Sequence, residues 1–253
     1  MLKRIIYLFM IVAMPLLAFG DANLNAQVKK GNGQYAKGQY KEAITTYQKI
    51  VDDGHMSALI YFNLGNAYFK NNDVPSALLY YEKAHKLSPG DEDINFNIQF
   101  ANQKTTDKVE APVEFFITRW WHSFILRFSL TTLAVISILL MLTGFALLVV
   151  YRFTNSVGIK KASFYSALLI LFLGLGSMFT ADRQQQYFDG HHGAIIFSNS
   201  VNVKSAPNPM AKNLFLIHDG TKVDVLNNNN GWMRVKLANG SEGWINASDA
   251  KEI

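Results

Sequence analysis

The chain has no cysteine among its 253 residues, which excludes disulfides, thiolate metal sites, cysteine nucleophiles and a lipidated N-terminal cysteine. An oxidising compartment is permitted by that absence but not required by it. Acids are missing from one long stretch: residues 119–181 carry Arg119, Arg127, Arg152, Lys160 and Lys161 and no Asp or Glu. The formal net charge of +5 therefore belongs to that stretch and to Lys3 and Arg4, because residues 21–118 set ten lysines against twelve acids and residues 182–253 balance seven of each sign. A nucleic-acid-binding domain needs its basic excess on a soluble surface that meets phosphates, and neither polar part has one. The apolar runs also remove residues from any soluble core, so each folded part is small and a single large enzyme core does not fit.

The N-terminus begins with Lys3 and Arg4, continues with an apolar run over residues 5–19, and ends in small residues at Ala18 and Gly20. This pattern predicts a secretory signal peptide over residues 1–20. The alternative is an uncleaved anchor helix, but about fifteen apolar residues fall short of the ~20 that span a bilayer.

From residue 23 to about residue 105 the apolar positions recur with helical period, and the segment repeats against itself at an offset of 34. Gly31 matches Gly65, Asn32 matches Asn66, Ala43 matches Ala77 and Tyr47 matches Tyr81. That offset, with Tyr61, Leu64, Gly65, Tyr68, Ala77, Tyr81, Ala84 and Pro89 in place, resembles the tetratricopeptide repeat. Gly65 and Ala77 are small where paired helices cross, while Leu64, Tyr68 and Tyr81 fill the space between them. The first repeat departs from the pattern at Gln34, where an aromatic is expected. Asp91 is placed to cap a further helix over 92–104, read as the terminal cap of a two-repeat module spanning 21–108.

Residues 109–127 form an aromatic and basic linker suited to the headgroup layer, with Arg119, Trp120, Trp121 and His122 at its centre. Two uncharged runs follow, over 128–151 and 162–181, each long enough to cross ~30 Å of hydrocarbon. The loop at 152–161 is basic, so the two spans form an antiparallel hairpin. A cleaved signal peptide exports the repeats, which places that loop in the cytoplasm and both polar parts outside the inner membrane, in agreement with the positive-inside rule. Neither span holds an ionisable residue, so the hairpin reads as an anchor and spacer rather than a transport path.

After the linker at 182–193 the pattern changes to short period-2 runs at 194–197, 201–204, 214–217, 222–226, 232–237 and 241–245, which predicts a small all-β unit over 194–253. Asn239-Gly240 is read as a two-residue hairpin turn with both residues at positive φ. Val201, Val203, Pro207, Asp219-Gly220, Gly231-Trp232 and Gly243-Trp244 resemble a bacterial SH3 domain. The fold class expected is thus a multidomain membrane protein: an all-α tetratricopeptide module, a two-helix transmembrane hairpin and a small SH3-like barrel.

Chemistry is sought at two motifs and found at neither. Gly31-Asn32-Gly33-Gln34-Tyr35-Ala36 matches a dinucleotide fingerprint, but no strand precedes it and it lies in a helical repeat. His191 and His192 beside Asp189 lack a nearby third metal ligand. No cofactor, metal or catalytic residue is expected. The candidate sites are binding surfaces: Asn32, Tyr35, Phe62, Asn66 and Phe69 on one groove of the repeats, where asparagine amides pair with a peptide backbone and Tyr35 and Phe69 stand in solvent. Against this, the same residues follow the repeat consensus and serve packing. On the SH3-like part, Trp232 and Trp244 read equally well as an aromatic ligand shelf or as core.

The order of signal peptide, tetratricopeptides, two spans and C-terminal SH3 domain resembles the BatE family of the bacterial aerotolerance (Bat) operons over essentially the whole chain. The resemblance implies a non-enzymatic inner-membrane protein with an envelope stress role. It also implies partners among the other Bat proteins, including von Willebrand factor A-domain membrane proteins and a MoxR-type ATPase. A peptidoglycan-binding sensor is the alternative, with the SH3-like domain on the cell wall.

Overall fold

The computed structural model describes residues 22–109 and 115–253. The signal peptide predicted at 1–20 and part of the 109–127 linker lie outside the described residues. The chain divides into two compact units between Met56 and Ser57.

The first unit holds helices α1 (Ala22–Ala36) and α2 (Tyr40–Asp52). They pack through Ala43, Tyr47 and Ile50, all buried, with the Tyr47 ring laid over Gly31. A Cβ built on Gly31 would lie 2.6 Å from that ring, so only glycine admits this crossing. The dinucleotide-like motif lies within α1, with helix rather than strand before it.

The second unit begins with α3 (Ala58–Lys70), α4 (Val74–Leu87) and α5 (Glu92–Asn102). Each helix start is capped by a side chain that accepts backbone N–H bonds: Ser57 from Ile60, Asp73 from Ser76, and Asp91 from Asp93 and Ile94. Such caps satisfy donors with no partner inside the helix. Leu64, Ala67, Ala77 and Tyr81 are buried where α3 packs on α4.

Helix α6 (Phe116–Ile125) leads into α7 (Leu130–Phe153) and α8 (Val157–Asp189), the latter two long and apolar enough to cross a membrane. The turn between them is residues 154–156, shorter than the expected ten-residue loop, because Lys160 and Lys161 already belong to α8. At its other end α8 continues to Asp189, through most of the expected linker. The composition of this hairpin is inside-out. Its contact face buries Leu133, Ser137, Gly144, Ser163, Ala167 and Gly174, while Ile138, Leu139, Phe145, Leu169, Phe172 and Met178 stand exposed. Ser137 Oγ donates to the Gly174 carbonyl (3.1 Å) and Ser177 Oγ to the Leu133 carbonyl (2.9 Å). Small and hydroxylated residues between helices, with large apolar residues outside, are the pattern of packing in lipid.

The C-terminal part is a seven-stranded antiparallel sheet of β1 (Gly193–Ile196), β2 (Ser200–Lys204), β3 (Asn213–His218), β4 (Lys222–Asn229), β5 (Trp232–Lys236), β6 (Glu242–Asn246) and β7 (Ala250–Glu252). Its order is β3-β2-β6-β5-β4-β1-β7. Val201, Val203, Ile217, Val223, Met233, Val235 and Ile245 point to one core, as their period-2 spacing requires. Two details differ from expectation. The turn with both residues at positive φ is Asn230-Gly231 (51° and 79°), between β4 and β5. At 239–240 only Gly240 is positive (φ 90°), in a three-residue loop closed by the Gly240 N–H donating to the Leu237 carbonyl, a type of loop in which a single left-handed glycine suffices. Strand β7 carries no signal in the sequence, because three residues give alternation no room to show.

Candidate interaction surfaces

The repeat residues divide between the two units. In the first, Asn32 is exposed on α1, and its Oδ1 accepts a 2.6 Å hydrogen bond from the Tyr47 hydroxyl. Burial, then the neighbouring Tyr35 hydroxyl, pushes Tyr47 up to about 12, so it remains a donor at any physiological pH. Tyr35 is half-buried rather than exposed, edge-on to Tyr40 at 5.4 Å. Burial, then Tyr40, raises its hydroxyl above the ordinary value.

In the second unit Asn66 stands where Asn32 does in the first. Its Oδ1 accepts from the Tyr81 hydroxyl (2.7 Å) and from the Asn97 amide (2.8 Å) of the capping helix. Phe62 lies 5.9 Å from the Tyr81 ring, and Phe69 lies 5.4 Å from Phe100. Both are half-buried against the Ala77, Leu78 and Tyr81 cluster, so the expectation of a solvent-standing Phe69 is corrected. The reason is the capping helix α5, whose Phe100 covers it. That helix adds an aromatic row that sequence reasoning left out: Phe96 and Phe100, 64% and 42% exposed and stacked at 6.1 Å. Their four-residue spacing was the available signal.

On the sheet, β5 and β6 alternate so that Met233, Val235 and Ile245 point inward while Trp232, Arg234 and Trp244 lie on the other face. Trp244 sits opposite Arg234 on one side and Lys204 on the other, and Trp232 opposite Asn246. Both tryptophans are half-buried and outside the core cluster. Glu242 pairs with Arg234 (3.0 Å) and Lys236 (3.5 Å) on the same face. His191 turns back onto α8, its Nδ1 2.7 Å from the Tyr187 carbonyl.

The sheet and the second repeat share a core. Ile195 of β1 is fully buried among Ala77, Leu78, Leu79, Tyr81 and Ala101, with Phe197 and Ile253 packed beside it. Two polar clasps flank this seam. Lys222 Nζ lies 2.7 Å from the buried Glu82 carboxylate. The Asp107 carboxylate accepts from the His218 N–H (2.6 Å) and the Thr221 hydroxyl (2.7 Å), and lies 2.9 Å from His218 Nδ1. Burial pushes the Asp107 carboxyl up, but the bonds from His218 and Thr221 outweigh it and hold the carboxyl below its ordinary value. A cleft of about 680 Å³ opens beside the clasps, lined by Asp107, Lys108, Tyr187, His191, Lys222 and Lys236. Lys108 is already engaged there, its Nζ donating to the Asn102 and Thr105 carbonyls.

Known proteins match this chain by segment. Residues 31–72 match the family model for TPR repeats, 58–91 that for the tetratricopeptide repeat, and 199–251 that for the bacterial SH3 domain. No curated protein matches. Among solved structures, NlpC2 from Trichomonas vaginalis is similar at 21% identity, with 25% of this chain and 25% of that chain covered and a TM-score of 0.23. This chain thus spans about a quarter of that protein's length. Tetratricopeptide repeats are protein-interaction folds and bacterial SH3 domains are associated with the cell envelope, and both are modules of kinds that are typically non-catalytic.

Proposed function

We propose that this chain is a non-enzymatic scaffold of the bacterial inner membrane, anchored by α7 and α8, that gathers partner proteins on the periplasmic side. The observation that carries this reading is the shared core at Ile195. An isolated repeat and a tethered sheet would move independently, whereas a common core with two flanking clasps holds two binding surfaces in fixed relation above one anchor. The resemblance to the BatE family supplies the partner class, the von Willebrand factor A-domain membrane proteins of the Bat operons, and a role in aerotolerance or envelope stress. Asn32, Tyr35, Phe62, Asn66 and Phe69 are the proposed contact residues on the repeats, acting through side-chain amides and ring edges.

The test is co-purification of the full chain with such a partner after co-expression and detergent extraction. Retention of the partner by the native chain, lost with Tyr35→Ala and Phe69→Ala while the melting temperature holds, supports the reading. Retention unchanged by both substitutions removes the repeat surface from it.

A second reading has its own observation. Trp232 and Trp244 lie outside the sheet core beside Arg234, Lys204 and Glu242, an apolar and charged face suited to a glycan-peptide polymer. Sedimentation of the full chain with purified sacculi separates the two. Binding abolished by Trp244→Ala favours a cell-wall sensor, and no binding leaves the scaffold.

A further inference from the structure

Helix α6 has a face that nothing in the described residues covers. Phe116, Trp120 and Phe124, four residues apart and therefore on one side of the helix, are 65%, 65% and 50% exposed. Ile117 and Phe115 extend the patch at 54% and 67%, and Phe128 continues it at 51% toward the exposed apolar surface of α7. The opposite side holds the helix to the protein: Ile125 is buried, Trp121 packs 6.5 Å from Phe179, and His122 lies 5.0 Å from Tyr187. Arg119, Thr118 and Ser123 occupy the polar remainder of the surface.

The corner between α6 and α7 is built for a place with little water. Gln184 of α8, itself 1% exposed, donates from Nε2 to the Ile125 carbonyl (2.9 Å) and the Phe128 carbonyl (2.8 Å). The Ile125 carbonyl ends α6 and the Phe128 carbonyl lies in the link before α7. Water would normally satisfy carbonyls in such places. A side chain from the neighbouring helix does so instead, as backbone groups at membrane depth require. The same corner also seats the repeat. A Cβ on Gly90, in the turn before α5, would collide with the Arg127 carbonyl, so the turn lies directly against the link between α6 and α7.

We infer that α6 is a third membrane element, lying in the plane of the bilayer with Phe116, Trp120 and Phe124 in the headgroup layer of a lipid surface. This inference rests on the reading of α7 and α8 as spans. The Trp120 indole, apolar with one N–H, favours that layer, and a helix with one apolar face and one polar face lies in it rather than across it. The absence of any acid from Phe115 to Ala181 suits a surface of anionic headgroups. The lipid occupant follows from continuity: the aromatic patch runs through Phe128 and Leu130 to the large apolar residues of α7, interrupted only by Arg127, Ser129, Thr131 and Thr132, themselves at the expected headgroup depth. The turn at Gly90 then holds the second repeat at the membrane surface instead of on a free tether.

The cysteine-free chain allows a direct test. Single cysteines replacing Phe116, Trp120, Phe124, Leu139 or Ser248 in the full chain are spin-labelled after reconstitution into phosphatidylethanolamine and phosphatidylglycerol vesicles. Their accessibility to oxygen and to a water-soluble nickel chelate is then compared. The expected oxygen-to-nickel ratio at 116, 120 and 124 lies several-fold above that at Ser248 and below that at Leu139, the mid-span reference. Ratios at all three equal to Ser248, with Leu139 still lipid-like, overturn the placement of α6 and leave the spans standing. A water-like Leu139 overturns the spans and this inference together. Exclusion of both reagents at 116, 120 and 124 shows a protein partner or second copy on this face and overturns the lipid assignment. Because three positions report independently, one misfolded variant does not decide the outcome.

Discussion

The two repeats solve the same packing problem with different side chains. In each, a tyrosine lies over a glycine and donates to an asparagine one position after that glycine: Tyr47 over Gly31 to Asn32, and Tyr81 over Gly65 to Asn66. The left-handed residue of the helix-helix turn is Gly38 in the first (φ 75°) and Asn72 in the second (φ 63°), residue types that tolerate this conformation at low cost. Gln34, which broke the consensus, is matched by a change across from it. Its Oε1 accepts from the Thr46 hydroxyl at 2.6 Å, where the second repeat stacks Tyr68 on Tyr80 at 5.5 Å. A hydrogen-bonded pair has replaced an aromatic pair at the same two positions. The glycine, tyrosine and asparagine are thus what the backbone demands, and the other contacts vary in pairs.

What separates the repeats is their surroundings. The second carries the sheet on α4, through Ile195 and Glu82, and α5 against Asn66 and Phe69. Tyr81→Ala should therefore cost about 3–5 kcal/mol through the cavity it leaves, and the damage should reach the sheet. Hydrogen exchange in residues 213–246 should rise for Tyr81→Ala and stay unchanged for Tyr47→Ala, whose cavity lies in the first unit. An equal response in the sheet would erase the distinction between the repeats.

Glycines give the next largest effect, with a change of sign. Gly65→Ala places a methyl 2.6 Å from a Tyr81 ring that is only 2% exposed, and overpacking of this kind costs about 1–3 kcal/mol. Gly33→Ala, in the same helix as Gly31 but with nothing within 4 Å of its new Cβ, should stabilise by up to about 1 kcal/mol through helix propensity. Thermal denaturation of the full chain compares them, and a destabilised Gly33→Ala would show that an exposed face of α1 is occupied.

Caps come next. Gln39 begins α2 without a side-chain cap, where Asp73 caps the equivalent helix of the second repeat. Gln39→Asp should raise the stability of the first unit by roughly 1 kcal/mol, and no gain in a denaturant titration would mean that the Gln39 backbone cannot adopt the capping geometry. The smallest effect disappears in acid. Because the Asp107 carboxyl is held below its ordinary value in the folded state, its stabilising contribution is present above the ordinary carboxylate range and is lost as pH falls through the depressed value. The native chain should therefore exceed Asp107→Asn in stability at neutral pH, and the gap should close on acidification. A gap that persists unchanged at low pH would remove Asp107 ionisation from the clasp.

The parts legible in the sequence were those written in local period. An offset of 34 places Gly65 under Tyr81, uncharged runs mark α7 and α8, and Asp91 announces α5. The seam was not legible, because Asp107 and His218 meet across 111 positions and neither lies in a periodic run. Ile195 reads as an ordinary strand residue, yet its side chain leaves the sheet core for the repeat core. The exposure expected of Phe69 failed for a related reason: whether a repeat's aromatic meets solvent depends on the helix that follows it. Asn239-Gly240 reads as a two-residue turn, yet Asn230-Gly231 has that geometry, since a dipeptide alone does not say how many loop residues surround it.

The central claim is that repeat and sheet form one body on a single side of a two-span hairpin. It is tested by single cysteines at Gln99 on α5, at Ser248 beyond β6 and at Ser156 in the turn between α7 and α8, labelled in spheroplasts with an impermeant thiol reagent. The account predicts labelling at 99 and 248 in intact spheroplasts and at 156 only after permeabilisation. Labelling at 99 without 248, or at 156 with silence at the other two, would contradict it.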